Sequence, residues 1–160
     1  NYFQDKRLEN PVVVATDIGI SKRARDMAER LQAPLAIVEK RRIGNEDKTE
    51  SLNIIGGGEG QTALLFDDEV DSGGSLLSAA ATLKEQGVRD VYACVSHPVL
   101  SGNAADRIVG SPLQEMVVTN TIPTDENKVN GKITVLSVAP LLGEAIRRIH
   151  EGRSVGAMFE

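Results

Sequence analysis

Short apolar runs recur along the chain, and helical stripes lie between most of them. Val12, Val13, Val14 and Ala15 form the first run; others fall at residues 35–38, 62–66, 91–95, 115–119 and 133–137. The runs are continuous rather than alternating, as strands are when a sheet is covered on both faces. Three stripes share one spacing, i, i+3, i+4, i+7: Ala24, Met27, Ala28, Leu31; Leu76, Ala79, Ala80, Leu83; and Leu142, Ala145, Ile146, Ile149. That spacing puts four apolar side chains on one face of a helix. Ser21 is the expected N-cap of the first helix and Pro34 its stop. Gly87 closes the second, and Pro140 and Gly152 bound the last. Residues 102–110 suit a shorter helix. Strand and helix in alternation specify an α/β fold, a mostly parallel sheet with helices on both faces. Only 3% of residues are aromatic and none is Trp, so the core must be aliphatic.

The 160 residues suffice for one domain with a real core. Residues 1–10 read as an N-terminal lead-in and residues 11–160 as the domain. The first residue is Asn1 and a strand begins soon after, so the chain is expected to be a processed or partial product, the second half of something longer. Net charge is −5, and no basic run exceeds Lys40, Arg41 and Arg42, which argues against nucleic acid as a partner. No apolar segment approaches a membrane span, so no membrane is expected. Cys94 is the sole cysteine, which points to a cytoplasmic location; inside an apolar strand it reads as a small buried hydrophobe. Residues 43–60 are polar and glycine-rich at their end, and read as a long functional loop.

The chemistry concentrates in residues 62–87. A buried strand is followed by Asp67, Asp68, Glu69 and Asp71, then by Ser72, Gly73, Gly74 and Ser75, then by a helix. In parallel sheets, ligands bind beyond the carboxyl ends of the strands. The small-residue turn opens a helix, where free N–H groups and the helix dipole favour an anion such as phosphate. Carboxylates beside a phosphate would repel it, so their target must differ. Adjacent carboxylates suit vicinal hydroxyls of a sugar, or a Mg2+ bridging to them. The ligand expected from these two halves is a pentose 5-phosphate, with Glu69 and Val70 as spacers.

This segment resembles the phosphoribosyl diphosphate loop of the type I phosphoribosyltransferase fold. Further stretches resemble one branch of that fold, the ribose-phosphate pyrophosphokinases: residues 17–19, 40–42, 53–56, 97–102, 118–123 and 139–148. Their order and spacing are those of the family's C-terminal half, over nearly the whole chain. The resemblance implies transfer of a diphosphate from MgATP to the 1-hydroxyl of ribose 5-phosphate, giving phosphoribosyl diphosphate and AMP. It implies that Asp71, Ser72, Gly73, Gly74 and Ser75 hold the 5-phosphate. Asp67 takes the ribose hydroxyls with Asp68 nearby, Asp17 is a magnesium position, and Lys40 and Arg42 are the catalytic cations. It also implies a homo-oligomer, and an N-terminal domain that supplies much of the ATP site, without which the chain alone is poorly active. Ile20 stands where the family has glycine, the segment after Arg42 lacks the usual Pro-Arg start, and Ser72 and Ser75 replace the commoner Thr.

Two other functions fit a chain of this kind: a phosphoribosyltransferase joining a base to the activated sugar, and a non-catalytic regulatory homologue. Gly56–Thr62 looks superficially like a nucleotide phosphate loop, but it precedes a strand and lacks the Lys-Ser/Thr ending. His97 reads equally as a ligand contact or a turn cap. His150, late in the last helix, suits the dipole.

Overall fold

The protein is described from a computed structural model, which covers residues 1–42, 50–56, 58–125, 129 and 131–159, without the side chains of residues 40–42 and 50–52. Val12 and Val14 face one side of the first strand and Val13 and Ala15 the other, and all four are completely buried. Both faces of the strand are therefore roofed. The elements in chain order are α1 (Tyr2–Lys6), β1 (Pro11–Ala15), α2 (Ser21–Leu31), β2 (Leu35–Arg42), β3 (Glu50–Ile55) and β4 (Thr62–Val70). Then come α3 (Gly74–Glu85), β5 (Asp90–Pro98), α4 (Ala104–Val109), β6 (Glu115–Thr119), β7 (Ile133–Leu136), α5 (Ala139–His150) and a 3-10 turn at Gly156–Met158. The strands form one sheet in the order β3-β2-β1-β4-β5-β6-β7. All neighbours run parallel except β2 and β3. The α/β expectation, a mostly parallel sheet with helices on both faces, is what the chain forms.

The larger core lies under α3 and α4, where Leu76, Ala79, Ala80, Leu83, Ala104 and Ile108 meet Val12, Leu65, Ala93 and Met116. On the opposite face α2 packs through Ala24 and Ala28 on Val13 and Ala15. No helix among the described residues is long and apolar enough to cross a membrane.

Four local expectations need correction. Residues 50–55 are an edge strand, antiparallel to β2 and paired Ile37 to Ile55 through Arg42 to Glu50, rather than loop. This edge strand lacks a continuous apolar run: Ile54 is buried while Ile55 is 59% exposed. The acidic run does not follow the strand but largely belongs to it. β4 continues through it to Val70, because its backbone stays paired with β5, Glu69 opposite His97 and Val70 opposite Pro98. Ser21 is not the cap of α2; Ile20 holds that place, and Ser21 Oγ donates to the Ile18 carbonyl at 2.7 Å. Finally, α5 forms as expected but buries none of its residues, and Leu142, Ile146 and Ile149 are each more than half exposed.

Residues 1–10 had no predicted element, yet α1 lies against the sheet. Phe3 is 5% exposed and joins Leu64 and Val117 in a third apolar cluster. Glu115 fastens it: its Oε1 accepts from the Tyr2 and Thr134 hydroxyls, both at 2.6 Å, and its Oε2 lies 2.8 Å from Lys6 Nζ. Burial pushes the Glu115 carboxyl up, but the bonds from Lys6, Thr134 and Tyr2 outweigh it and hold the pKa below the ordinary 4.5. A depressed carboxyl stabilises the fold above its ordinary pKa, and that contribution is lost as pH falls through the folded-state value. Glu115→Gln is therefore expected to cost about 1–2 kcal/mol in urea unfolding at pH 7, with the partial exposure of Lys6 limiting the effect. The difference from wild type is expected to shrink as pH drops below about 4.

Candidate functional site

β1 and β4 lie side by side and parallel, with Ala15 opposite Phe66. Their carboxyl ends therefore deliver Thr16 and Asp17 to the same rim as Asp67. Beyond Val70 the chain turns sharply through Gly73, whose φ of +75° is left-handed and costs about 1 kcal/mol or more for a residue with a Cβ. α3 starts at Gly74. Gly73 stands at its N-cap position and no side chain caps it. An α-helix leaves its first N–H groups without intrahelical acceptors and carries partial positive charge there.

Between this turn and the ends of β1 and β4 lies a cleft of about 210 Å3, lined by Thr16, Asp17, Asp67, Glu69 and residues 70–76. Six of the predicted substrate residues, Asp67, Asp71, Ser72, Gly73, Gly74 and Ser75, are thus brought together, with Asp17 beside them. Asp68 is not in the lining. It is exposed, and its Oδ2 lies 3.4 Å from Arg23 Nη1 on α2, a surface pair of little energetic weight. Lys40 and Arg42 end β2, and their side chains lie outside the described residues. The expected loop at residues 43–49 lies outside them too. His97 is exposed, with Nδ1 at 2.9 Å from Thr121 Oγ1, and does not line the cleft.

Asp67 is held at both oxygens. Thr16 Oγ1 donates to Oδ2 at 2.6 Å, and the Asp68 backbone N–H donates to Oδ1 at 2.9 Å. Half-burial pushes its carboxyl up; those two bonds pull it down, and the charges of Asp68 and Asp17 push it up again. The result stands above the ordinary carboxylate range. Such a group, oriented and partly stripped of water, gains from any donor or cation brought to its remaining lone pairs. Asp17 Oδ1 accepts the Ile20 N–H at 3.1 Å, which closes the turn into α2. The Ile20 side chain is 5% exposed and packs with Ala24 and Ala28, away from the cleft.

Two polar cleft residues escaped the sequence reading. Thr16 is 2% exposed, one of two buried polar residues among those described, and orients Asp67. Its sequence signal is a hydroxyl at the end of an apolar strand, directly before Asp17. Glu69 was read as a spacer but lines the cleft. Strand periodicity carries that signal, since residues i and i+2 of a strand share a face and Glu69 follows Asp67 by two. Among the described residues no three metal-ligating side chains converge. The carboxylate oxygens of Asp17 and Asp67 are nevertheless the hard donors that suit Mg2+, which commonly takes one or two carboxylates and completes its shell with water and substrate phosphate.

A model of the phosphoribosyl synthetase-associated domain matches residues 43–160. The chain is 49% identical over its full 160 residues to the ribose-phosphate pyrophosphokinase of Oceanobacillus iheyensis, and covers 50% of that protein. It is 49% identical over 158 residues to the ribose-phosphate pyrophosphokinase of Bacillus subtilis, again covering 50% of it. The chain thus spans about half the length of the curated relatives it matches. Phosphoribosylpyrophosphate synthetase from Mycobacterium smegmatis superposes with a TM-score of 0.83 at 37% identity, over 94% of this chain and 47% of that one. Orotate phosphoribosyltransferase from Aeropyrum pernix, with a TM-score of 0.54 and 16% identity over 90% of this chain and 68% of that one, shares the fold alone.

The Thr16 bond makes a testable statement about Asp67. A carboxyl raised by folding contributes stability at low pH and loses it as pH rises through its folded-state pKa. Thr16→Val removes a bond that holds the charged form. Carbon-detected NMR titration is expected to place the Asp67 carboxyl above the ordinary range in wild type and higher still in Thr16→Val, with a correspondingly larger loss of stability on raising the pH.

Proposed function

Since the chain belongs to the ribose-phosphate pyrophosphokinase family, we propose that it supplies the ribose 5-phosphate half-site of an enzyme that moves a diphosphate from MgATP to the 1-hydroxyl of ribose 5-phosphate. The products are phosphoribosyl diphosphate and AMP. One observation carries this reading: a single cleft joins an uncapped helix N-terminus to a half-buried, oriented carboxylate. The two ends match the two ends of a sugar phosphate.

In this reading the N–H groups of the turn and the hydroxyls of Ser72 and Ser75 take the 5-phosphate. Asp67 accepts the ribose hydroxyls, with Glu69 on the same face of β4 and Asp68 at the rim. Asp17 would hold Mg2+, with Asp67 beside it. The ion, when bound, offsets the repulsion between an acidic rim and the phosphates. Lys40 and Arg42 follow from the family resemblance. They end β2, the strand beside β1 in the sheet order, so their backbones reach the rim that carries Asp17. Cations there would stabilise the charge of the transferred group, the main catalytic requirement of phosphoryl-type transfer. The remaining half of the relatives' length would bring most of the ATP site, and assembly with further copies in the cytoplasm completes the proposal.

The test is a calorimetric titration of ribose 5-phosphate with Mg2+ into this chain and into Asp67→Asn. Saturable binding by wild type, at least about tenfold weaker in the variant, is the expected result, since charge-assisted bonds are lost. A folded wild-type chain that takes up no ribose 5-phosphate would overturn the half-site reading.

A further inference from the structure

The turn that lines the cleft is held from behind by a segment that has no place in the cleft itself. Three consecutive carbonyls are taken by it. The Leu100 N–H donates to the Val70 carbonyl at 3.1 Å, and the Ser101 N–H donates to the Asp71 carbonyl at 3.2 Å. Arg107, on α4, donates from Nη1 to the Ser72 carbonyl at 2.9 Å. None of residues 98–107 lines the cleft.

A trans peptide is planar, and its carbonyl and its N–H point in opposite directions. Each carbonyl drawn toward residues 100–107 therefore turns the next residue's N–H the other way. The three tethers together aim the N–H groups of Asp71, Ser72 and Gly73 away from that segment. The third matters most. Gly73 sits at the left-handed turn, and its preceding peptide is free to rotate because glycine imposes little on its own backbone.

The backbone of the supporting segment is itself forced. Leu100 is not glycine, yet its φ is +51°, and its side chain is 1% exposed. A left-handed conformation at a branched, buried side chain is uncommon and persists where surrounding contacts over-determine it. Here it lets two successive N–H groups, of Leu100 and Ser101, face the two successive carbonyls of Val70 and Asp71.

We propose that Arg107 is a positioning residue for the phosphate end of the site: it fixes the Ser72–Gly73 peptide so that the Gly73 N–H is presented to the ligand before the ligand arrives. The proposal rests on the ribose 5-phosphate reading above. Arg107 does not touch the substrate. It removes the reorganisation that an untethered glycine turn would need on binding.

The experiment uses this chain, Arg107→Met and Arg107→Lys, with ribose 5-phosphate plus Mg2+ as ligand. Affinity is measured by calorimetry and the Gly73 amide is followed by NMR in the free chain. Methionine keeps the stem of an exposed side chain, so the fold is expected to survive, as thermal unfolding would show. The expected result is about a tenfold loss of affinity in Arg107→Met, together with a moved Gly73 amide resonance in the absence of ligand. Arg107→Lys, which keeps one donor, is expected to stay within about threefold of wild type with the Gly73 resonance near its original position. Unchanged affinity in Arg107→Met would overturn the proposal while leaving the half-site reading intact. Weakened binding with an unmoved Gly73 amide would make Arg107 a distant charge, and would equally overturn it. A wild-type chain that does not bind ribose 5-phosphate would remove both readings together.

Discussion

The parallel pairing of β1 with β4 is the contact on which the site depends. It lies at the middle of the sheet, and it brings two chain segments some fifty residues apart to one rim, where Thr16 Oγ1 donates to Asp67 Oδ2. The pairing is secured by completely buried aliphatic side chains on both faces, Val12 and Leu65 on one and Val13 and Leu64 on the other. A dry, aliphatic interior stops abruptly at Thr16 and Asp67, and the half-burial of that carboxylate follows directly from where the core ends. The elevated pKa of Asp67 is thus a consequence of the fold, and the bonds from Thr16 and Asp68 limit it.

An acidic cleft that is to receive a phosphorylated sugar, as proposed here, needs its charges sorted in space. Here the carboxylates of Asp17, Asp67 and Glu69 belong to the ends of β1 and β4, while the opposite end of the cleft is the N-terminal turn of α3. The positive end of the helix offsets an anion without any basic side chain in the described lining. Arg107 contributes from the far side, through the backbone, by holding the Ser72 carbonyl. In the proposed reaction the phosphate end would work by preorganised N–H groups rather than by a cluster of cations, which leaves Lys40 and Arg42 for the transferred diphosphate.

The architecture was legible because periodicity is a property of local sequence. Continuous apolar runs gave the parallel strands, and the shared spacing of the three stripes gave α2, α3 and α5. What stayed hidden was whatever depends on a partner segment. β3 is a strand because β2 lies beside it, and β4 outruns its apolar residues because β5 continues with it. α1 is fixed by Glu115, more than a hundred positions away. The site shows the same division. The acidic run and the Ser-Gly-Gly-Ser turn announced themselves, as did Asp17 through family resemblance. Thr16 and Arg107 did not, because each acts through a bond to a distant segment. Glu69, read as a spacer, lines the cleft and Asp68 does not, because a strand sends neighbouring side chains to opposite faces.

The most direct test of the central claim is a crystal structure of this chain with ribose 5-phosphate and Mg2+. The account predicts the phosphate on the backbone amides of residues 71–75 and the ribose hydroxyls within hydrogen-bond distance of Asp67. A ligand seated with its phosphate away from that turn, or bound with its sugar hydroxyls clear of Asp67, would contradict it.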